Sequence, residues 1–235
     1  MVLRERPLVL VAVAWLAAGA CDETLAPIAV GPGCPEQPLR GPDATANGDP
    51  ENVIDDFESG DLFLPKVGGR SGAWIFGSDG TNVPTVEASS RCAARGRLSG
   101  HFAGAGFSDW GANWTAVFKN NNGGNAVPFD AHEWSAISFW AAVGSGAEAP
   151  FTIPMGLTTT DVAWNGGLCT TCMDYYATTV TLTPAWKRFV LPFDILVQGG
   201  WGVPQVAMRR DQLVGFIMWP NHQFDIWIDD VRFEP

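Results

Sequence analysis

Carboxylates stand near both ends of the long C-terminal region of this chain. The stretch "VIDDFESGD" (53–61) carries Asp55, Asp56 and Glu58, and "IWIDDVRF" (226–233) carries Asp229 and Asp230. Two chemistries use such groups. Glycoside hydrolysis needs an acid and a second carboxylate at a defined separation across a cleft. A calcium site needs six to eight hard oxygen ligands. Adjacent residues of a regular strand point to opposite faces, so neither Asp-Asp pair forms a site by itself. One carboxylate from each end would have to converge.

The remaining reactive residue types do not assemble into a motif. "HEWSA" (132–136) begins like a zincin helix but lacks the second His, and "GFSDWG" (106–111) has the wrong spacing for a nucleophile elbow. Cys169 and Cys172 flank two threonines without the strand-to-helix setting of a thioredoxin site, and no second cysteine pair completes a zinc site. The Glu-x-Asp-x-x-Glu strand of jelly-roll glycanases is missing too. The expectation is a protein with no catalytic residues. A minimal glycan-active enzyme built on the convergent carboxylates is the weaker alternative.

The elements that must position any site read as strands. No long run has a period of 3.6. Short alternating stretches recur between Gly, Pro, Asn and Asp: "WSAISFWAAV" (134–143), "YYATTVTL" (175–182), "AWKRFVLPF" (185–193), "LVGFIMW" (213–219) and "QFDIWIDDVRF" (223–233). This is the pattern of an all-β, two-sheet antiparallel sandwich. Eleven Trp against two Tyr supply bulky core residues, or faces on which a sugar ring can stack.

The N-terminal region divides in two. Arg4 and Arg6 precede the apolar run "LVLVAVAWLAAGA" (8–20), which is too short to span a bilayer and has the order of an export signal. Small residues before Cys21 resemble a bacterial lipoprotein signal, which implies lipidation of Cys21. Six prolines fall within 22–50, which reads as a tether after the lipidated residue (21–50). The folded domain is expected over 51–235. Taking Arg4, Arg6 and Glu5 from the 14 basic and 25 acidic residues leaves 12 and 24, so a nucleic-acid partner is excluded. Four cysteines then remain and allow three pairings. Cys169–Cys172 reads as a local staple, with Cys34–Cys92 tying the tether to the domain.

The region 51–235 resembles the jelly-roll carbohydrate-binding modules of family 11 and the related complex I intermediate-associated proteins, with a galactose-binding-like fold. The resemblance rests on "VIDDFESGD", "GRSGAW" (69–74), "GFSDWGANW" (106–114), "WSAISFWA" (134–141), "LTPAWKRFVLPFDIL" (182–196), "LVGFIMW" and "IWIDDVRF", in that order. It implies that the first and last strands lie together and share a structural calcium. Glu58 and Asp229, with Asp56 next, would be its ligands. In this chain the adjoining turn reads "SSRCAARGR" (89–97), so Arg91, Arg95 or Arg97 are the alternative partners of those carboxylates.

The resemblance also implies a sugar cleft on the concave sheet. Its candidates are Asp109, Asn113, Thr115, Asp174, Tyr175, Thr179, Gln198, Trp201 and Trp219. Strand parity places Trp110, Trp114 and Phe118 together on the core side. The expected function is a non-catalytic lipoprotein of the bacterial cell envelope, outer membrane or surface. It would be monomeric, anchored through lipid alone, and would bind a β-glucan or related polysaccharide. The other class of reading is a structural or protein-interaction domain without a sugar site.

Overall fold

The computed structural model describes residues 33–35, 50–121, 124–162 and 173–235. Eleven strands run in chain order: β1 (Val53–Asp55), β2 (Ala73–Ser78), β3 (Thr85–Ser89), β4 (Ser99–Gly104), β5 (Ala112–Val117), β6 (Ala136–Val143), β7 (Phe151–Thr159), β8 (Tyr176–Leu182), β9 (Lys187–Pro192), β10 (Leu213–Met218) and β11 (Phe224–Glu234). Among the described residues the helical elements are short 3-10 turns at Pro50–Asn52, Phe193–Ile195 and Arg210–Gln212. The strands form two antiparallel sheets. One has the order β3-β4-β11-β6-β9, with β1 also paired to β11; the other has the order β2-β5-β10-β7-β8. This is the all-β, two-sheet sandwich expected from the alternating pattern, with the jelly-roll form that the resemblance implies.

Period-2 alternation decides what each sheet buries. Trp114 and Ala116 of β5, Phe139 and Ala141 of β6, and Ile226 and Ile228 of β11 enter one core with Phe57, Phe102, Phe216 and Phe233. Each of the Phe and Ile side chains contributes on the order of 1.5–3 kcal/mol. Phe57, beside the first acidic pair, stacks on Trp74 at 5.5 Å, and Trp74 meets Trp114 at 4.3 Å. Strand β7 was not legible as a strand, because Pro154 interrupts it. The proline sits where β10 ends, and its carbonyl accepts the Trp219 N–H at 3.3 Å.

Strand β11 unites the two ends of the domain. Phe224–Ile228 pairs with β4, Val231 and Arg232 pair with β1, and β6 lies along the other edge. The register shifts between Asp229 and Arg232, where Asp230 takes φ 48°. Asp229 is buried, and its Oδ2 accepts the N–H groups of Ala94 and Arg95, both at 2.8 Å. Glu58 Oε1 accepts those of Arg97 (2.6 Å) and Leu98 (2.8 Å). Between them lies Gly96 at φ +54°, where a Cβ would stand 2.3 Å from Glu58 Oε1. The first and last strands are therefore fastened through one loop, and its peptide N–H groups do most of the fastening.

The arginines of this loop turn largely to other work. Arg97 Nε reaches Glu58 at 3.4 Å, but Arg91 pairs with Glu87 at 2.8 Å and Arg95 lies over Trp140 at 4.9 Å. For calcium, the donor set is the wrong kind. Glu58 and Asp229 face N–H donors where further oxygens would be required, and Asp56 Oδ1 accepts the Glu58 N–H at 3.2 Å. Among the described residues no group of three or more His, Cys, Asp or Glu gathers to hold a metal.

Cys34 and Cys92 form a disulfide with Cα atoms 5.7 Å apart. Cys34 packs with Trp140 against Cys92, Ala94, Ala142, Trp186 and Trp227. Trp227 alternates with the core residues Ile226 and Ile228, so this cluster covers the outer face of the six-stranded sheet. Closing a loop over a separation of 58 residues is worth about 4 kcal/mol in a chain-entropy treatment. Cys169 and Cys172 lie outside the described residues.

Asp55 points into the core, where it accepts the Trp74 Nε1–H at 2.7 Å and the Phe57 N–H at 2.9 Å. Burial dominates those bonds and pushes its carboxyl up to about 7. A raised folded value favours the native state below the ordinary carboxylate range, and that advantage is lost as pH rises through about 7. Urea melts at pH 4 and pH 8 should therefore show Asp55→Asn gaining on the wild type by up to about 4 kcal/mol across that window; a constant difference refutes the assignment. The donor geometry at Glu58 and Asp229 gives a second expectation: the melting midpoint is the same in chelator and in millimolar calcium, whereas a tight native-state site would raise it.

Candidate functional site

The outer face of the five-stranded sheet is not filled by the core and carries a cleft of about 950 Å³. The register arranges its floor in rows. One row crosses all five strands as Ile75, Thr115, Ile217, Gly156 and Ala177. A second brings Gly77 beside Asn113 and Pro154 beside Thr179, with Trp219 next to Pro154. Gly77 and Gly156 contribute no side chains to the floor, and Trp110 and Trp201 stand on the loops at its rim.

Two loops form walls, and an aspartate organises each. Asp79 accepts the N–H groups of Thr81 and Asp109 (both 2.9 Å) and of Gly111 (3.2 Å), which shapes the turn that presents Trp110. Burial alone would raise the Asp79 carboxyl, but these donors and the Thr81 hydroxyl hold it down at about 2. Asp174 accepts the N–H groups of Gly199 (2.6 Å), Gly200 (3.0 Å) and Gly202 (2.9 Å). At Gly202 a Cβ would lie 2.4 Å from that of Asp174, so the loop closes on the carboxylate only with glycine there. Gln198 completes the clamp through the Asp174 carbonyl at 3.0 Å and the Gln205 N–H at 2.8 Å. Trp201 rides on this loop with 61% of its surface exposed.

Of the residues expected in a sugar site, Asn113, Thr115, Asp174, Tyr175, Thr179, Gln198, Trp201 and Trp219 all line this cleft. Asp109 does not. Its backbone N–H is spent on Asp79, in the turn behind Trp110. Trp110 corrects the parity reading, since it lies in the cleft at 45% exposure while Trp114 and Phe118 are in the core. Parity fails at Trp110 because Gly111, at φ +93°, separates it from the strand. Asp174 and Gln198 serve the wall rather than offering free groups to a ligand. Tyr175 meets Trp219 edge-on at 5.6 Å, and burial pushes its phenol up to about 12, so it remains a hydrogen-bond donor. The metal candidates Asp56, Glu58 and Asp229 belong to the fastening of β1 to β11 and are not among the cleft residues.

Residues that the sequence reading passed over include Ile75, Phe76, Met173, Val197, Ile217 and Asn221. Trp74 being in the core would have put Ile75 outside by parity. Parity marks Ile217 in the same way, between Phe216 and Met218, whereas Met173, Val197 and Asn221 come from loops.

No family model matches the chain, and no curated protein matches it in sequence. Among solved structures, it is similar to a family 11 carbohydrate-binding module from Clostridium thermocellum in complex with a β-1,3-1,4-mixed-linked tetrasaccharide. That match has a TM-score of 0.55 and 16% identity, over 78% of this chain and 94% of that one. It is also similar to the family 11 module of the cellulosomal cellulase Lic26A-Cel5E of Clostridium thermocellum. Here the TM-score is 0.52 and the identity 16%, over 80% of this chain and 96% of that one. At that identity the likeness is one of fold: this chain has the jelly-roll β-sandwich architecture seen in those modules.

Proposed function

We propose that this protein is a non-catalytic carbohydrate-binding protein that holds a poly- or oligosaccharide in the cleft of its five-stranded sheet. The observation that carries the reading is the pair of exposed indoles, Trp110 and Trp201, on carboxylate-organised loops beside a floor containing Trp219. An indole face suits the apolar C–H face of a pyranose, and the Asn113, Thr115, Thr179 and Tyr175 side chains suit its hydroxyls. Among the described residues the cleft has one carboxylate, Asp174, and both its oxygens accept loop N–H groups. That is no acid and base pair. The tetrasaccharide seen with the similar module supports a β-glucan or related glycan.

The sequence adds the setting. The basic start, the short apolar run and the small residues before Cys21 support an exported lipoprotein of the bacterial cell envelope. The domain would be a monomer held to the membrane through lipid alone.

Affinity electrophoresis in gels of glucans, mannans and xylans tests the binding. Retardation in at least one is expected, and mobility unchanged in every gel refutes the reading. In a gel that retards the wild type, Trp201→Ala and Trp110→Ala should each cost roughly ten-fold in affinity, about 1.4 kcal/mol. Both residues are solvent-exposed, so the melting midpoints should hold. Metabolic labelling with palmitate should mark the wild type and not Cys21→Ser, while equal labelling of both would remove the anchor.

A further inference from the structure

The chemistry of the cleft narrows its ligand further, on the assumption that the ligand is a glycan. Three observations bear on it. Among the described residues no Lys, Arg or His lines the cleft, and its carboxylate is spent on the wall. The hydrogen-bonding capacity of Gln198 is used on Asp174, Val203 and Gln205. The floor row is aliphatic on both sides of Thr115, with Ile75 and Ile217, and Phe76, Met173 and Val197 extend the apolar surface to the rim. Ile75, Phe76, Met173 and Val197 are all exposed in the free protein.

Sugar hydroxyls that reach Asn113, Thr179 or Tyr175 find partners, but those that lie over the apolar part of the lining do not. Hydroxyls pressed against the exposed Ile75, Met173 or Val197 would leave water without finding a partner, which opposes binding. A chain whose hydroxyls are partly capped by small acyl groups avoids that loss, and its methyl groups gain contact with the aliphatic patch. Charged glycans fit worse still. The chain carries a formal net charge of −11, and no cation lines the cleft to receive a carboxylate, sulfate or phosphate. Cationic sugars meet no free anion there.

We infer that the cleft is selective for uncharged glycans bearing acetyl groups, seated with the acetyl methyls against the exposed Ile75, Met173 and Val197 side chains and the sugar rings against Trp110, Trp201 and Trp219. Esters on a hydroxyl and amides on a 2-amino group offer the same methyl and the same carbonyl acceptor. Both sources have to be compared.

The test uses the whole protein and two matched pairs of neutral ligands. One pair is acetylated glucomannan and the same polymer after mild alkaline deacetylation, in affinity gels. The other is chitohexaose and cellohexaose, by titration calorimetry. The expected result is about ten-fold tighter binding of the acetylated member in at least one pair, and the pair that shows it identifies ester or amide. Equal or tighter binding of both unsubstituted members overturns the inference and leaves carbohydrate binding standing. No binding to any of the four, nor to the wider gel panel, overturns the underlying reading and the inference with it. Ile75→Ser separates a specific floor from a general loss of structure. It should bring the acetylated-to-plain ratio close to one, whereas a merely structural defect weakens both ligands alike and leaves the ratio where it was.

Discussion

Every peptide N–H that leaves a sheet must find an acceptor, and the order of this fold depends on carboxylates meeting that demand. Asp229 and Glu58 take four N–H groups from the loop that precedes β4. Asp79 and Asp174 do the same for the two loops that wall the cleft. Hydrogen bonds of this charge-assisted kind are shorter and stronger than neutral ones. They explain how long glycine-containing connections can hold fixed shapes without helices. Four of the chain's 25 acidic residues thus serve as internal architecture.

The same device separates the two kinds of surface in the binding region. The floor is set by strand register, which β-ladder hydrogen bonds fix to the residue. The walls are set by single side chains, and each wall carries one large indole. A shape defined in this way is rigid where the floor lies and adjustable by mutation where the walls stand. Loops on a conserved scaffold are where recognition commonly changes. The neutral, largely apolar lining follows as well. The wall aspartates are turned inward, so the acidity of the chain does not reach the cleft.

Much of the fold could be read from the sequence because alternation survives in β5, β6, β8, β10 and β11. Phe139 and Ala141, or Val180 and Leu182, announce their buried face directly. Strand β7 hid behind Pro154 and Gly156, whose local preferences oppose a strand and are overruled by pairing on both sides. The resemblance pointed to eight of the residues that line the cleft. Trp110 was not among them, since one glycine of positive φ breaks the parity on which the reading relied. The role of the terminal carboxylates was half legible. That they join the chain ends follows from the pattern, but sequence cannot say that their partners are peptide N–H groups, which every residue except proline carries.

The disulfide gives the domain a mechanical polarity. It fixes residue 34 on the outer face of the six-stranded sheet, across the sandwich from the cleft. Tension between a ligand in the cleft and the N-terminal segment would otherwise arrive at β1, which is three residues long and is paired to β11 at Val53 and Asp55. Pulled from its end, such a strand opens one pair at a time. The cross-link delivers the tension to Cys92 instead. That residue adjoins the loop held by Asp229 and Glu58, where several hydrogen bonds must fail together before anything moves. A load applied between the cleft and residue 34 would therefore cross the sandwich through its thickness.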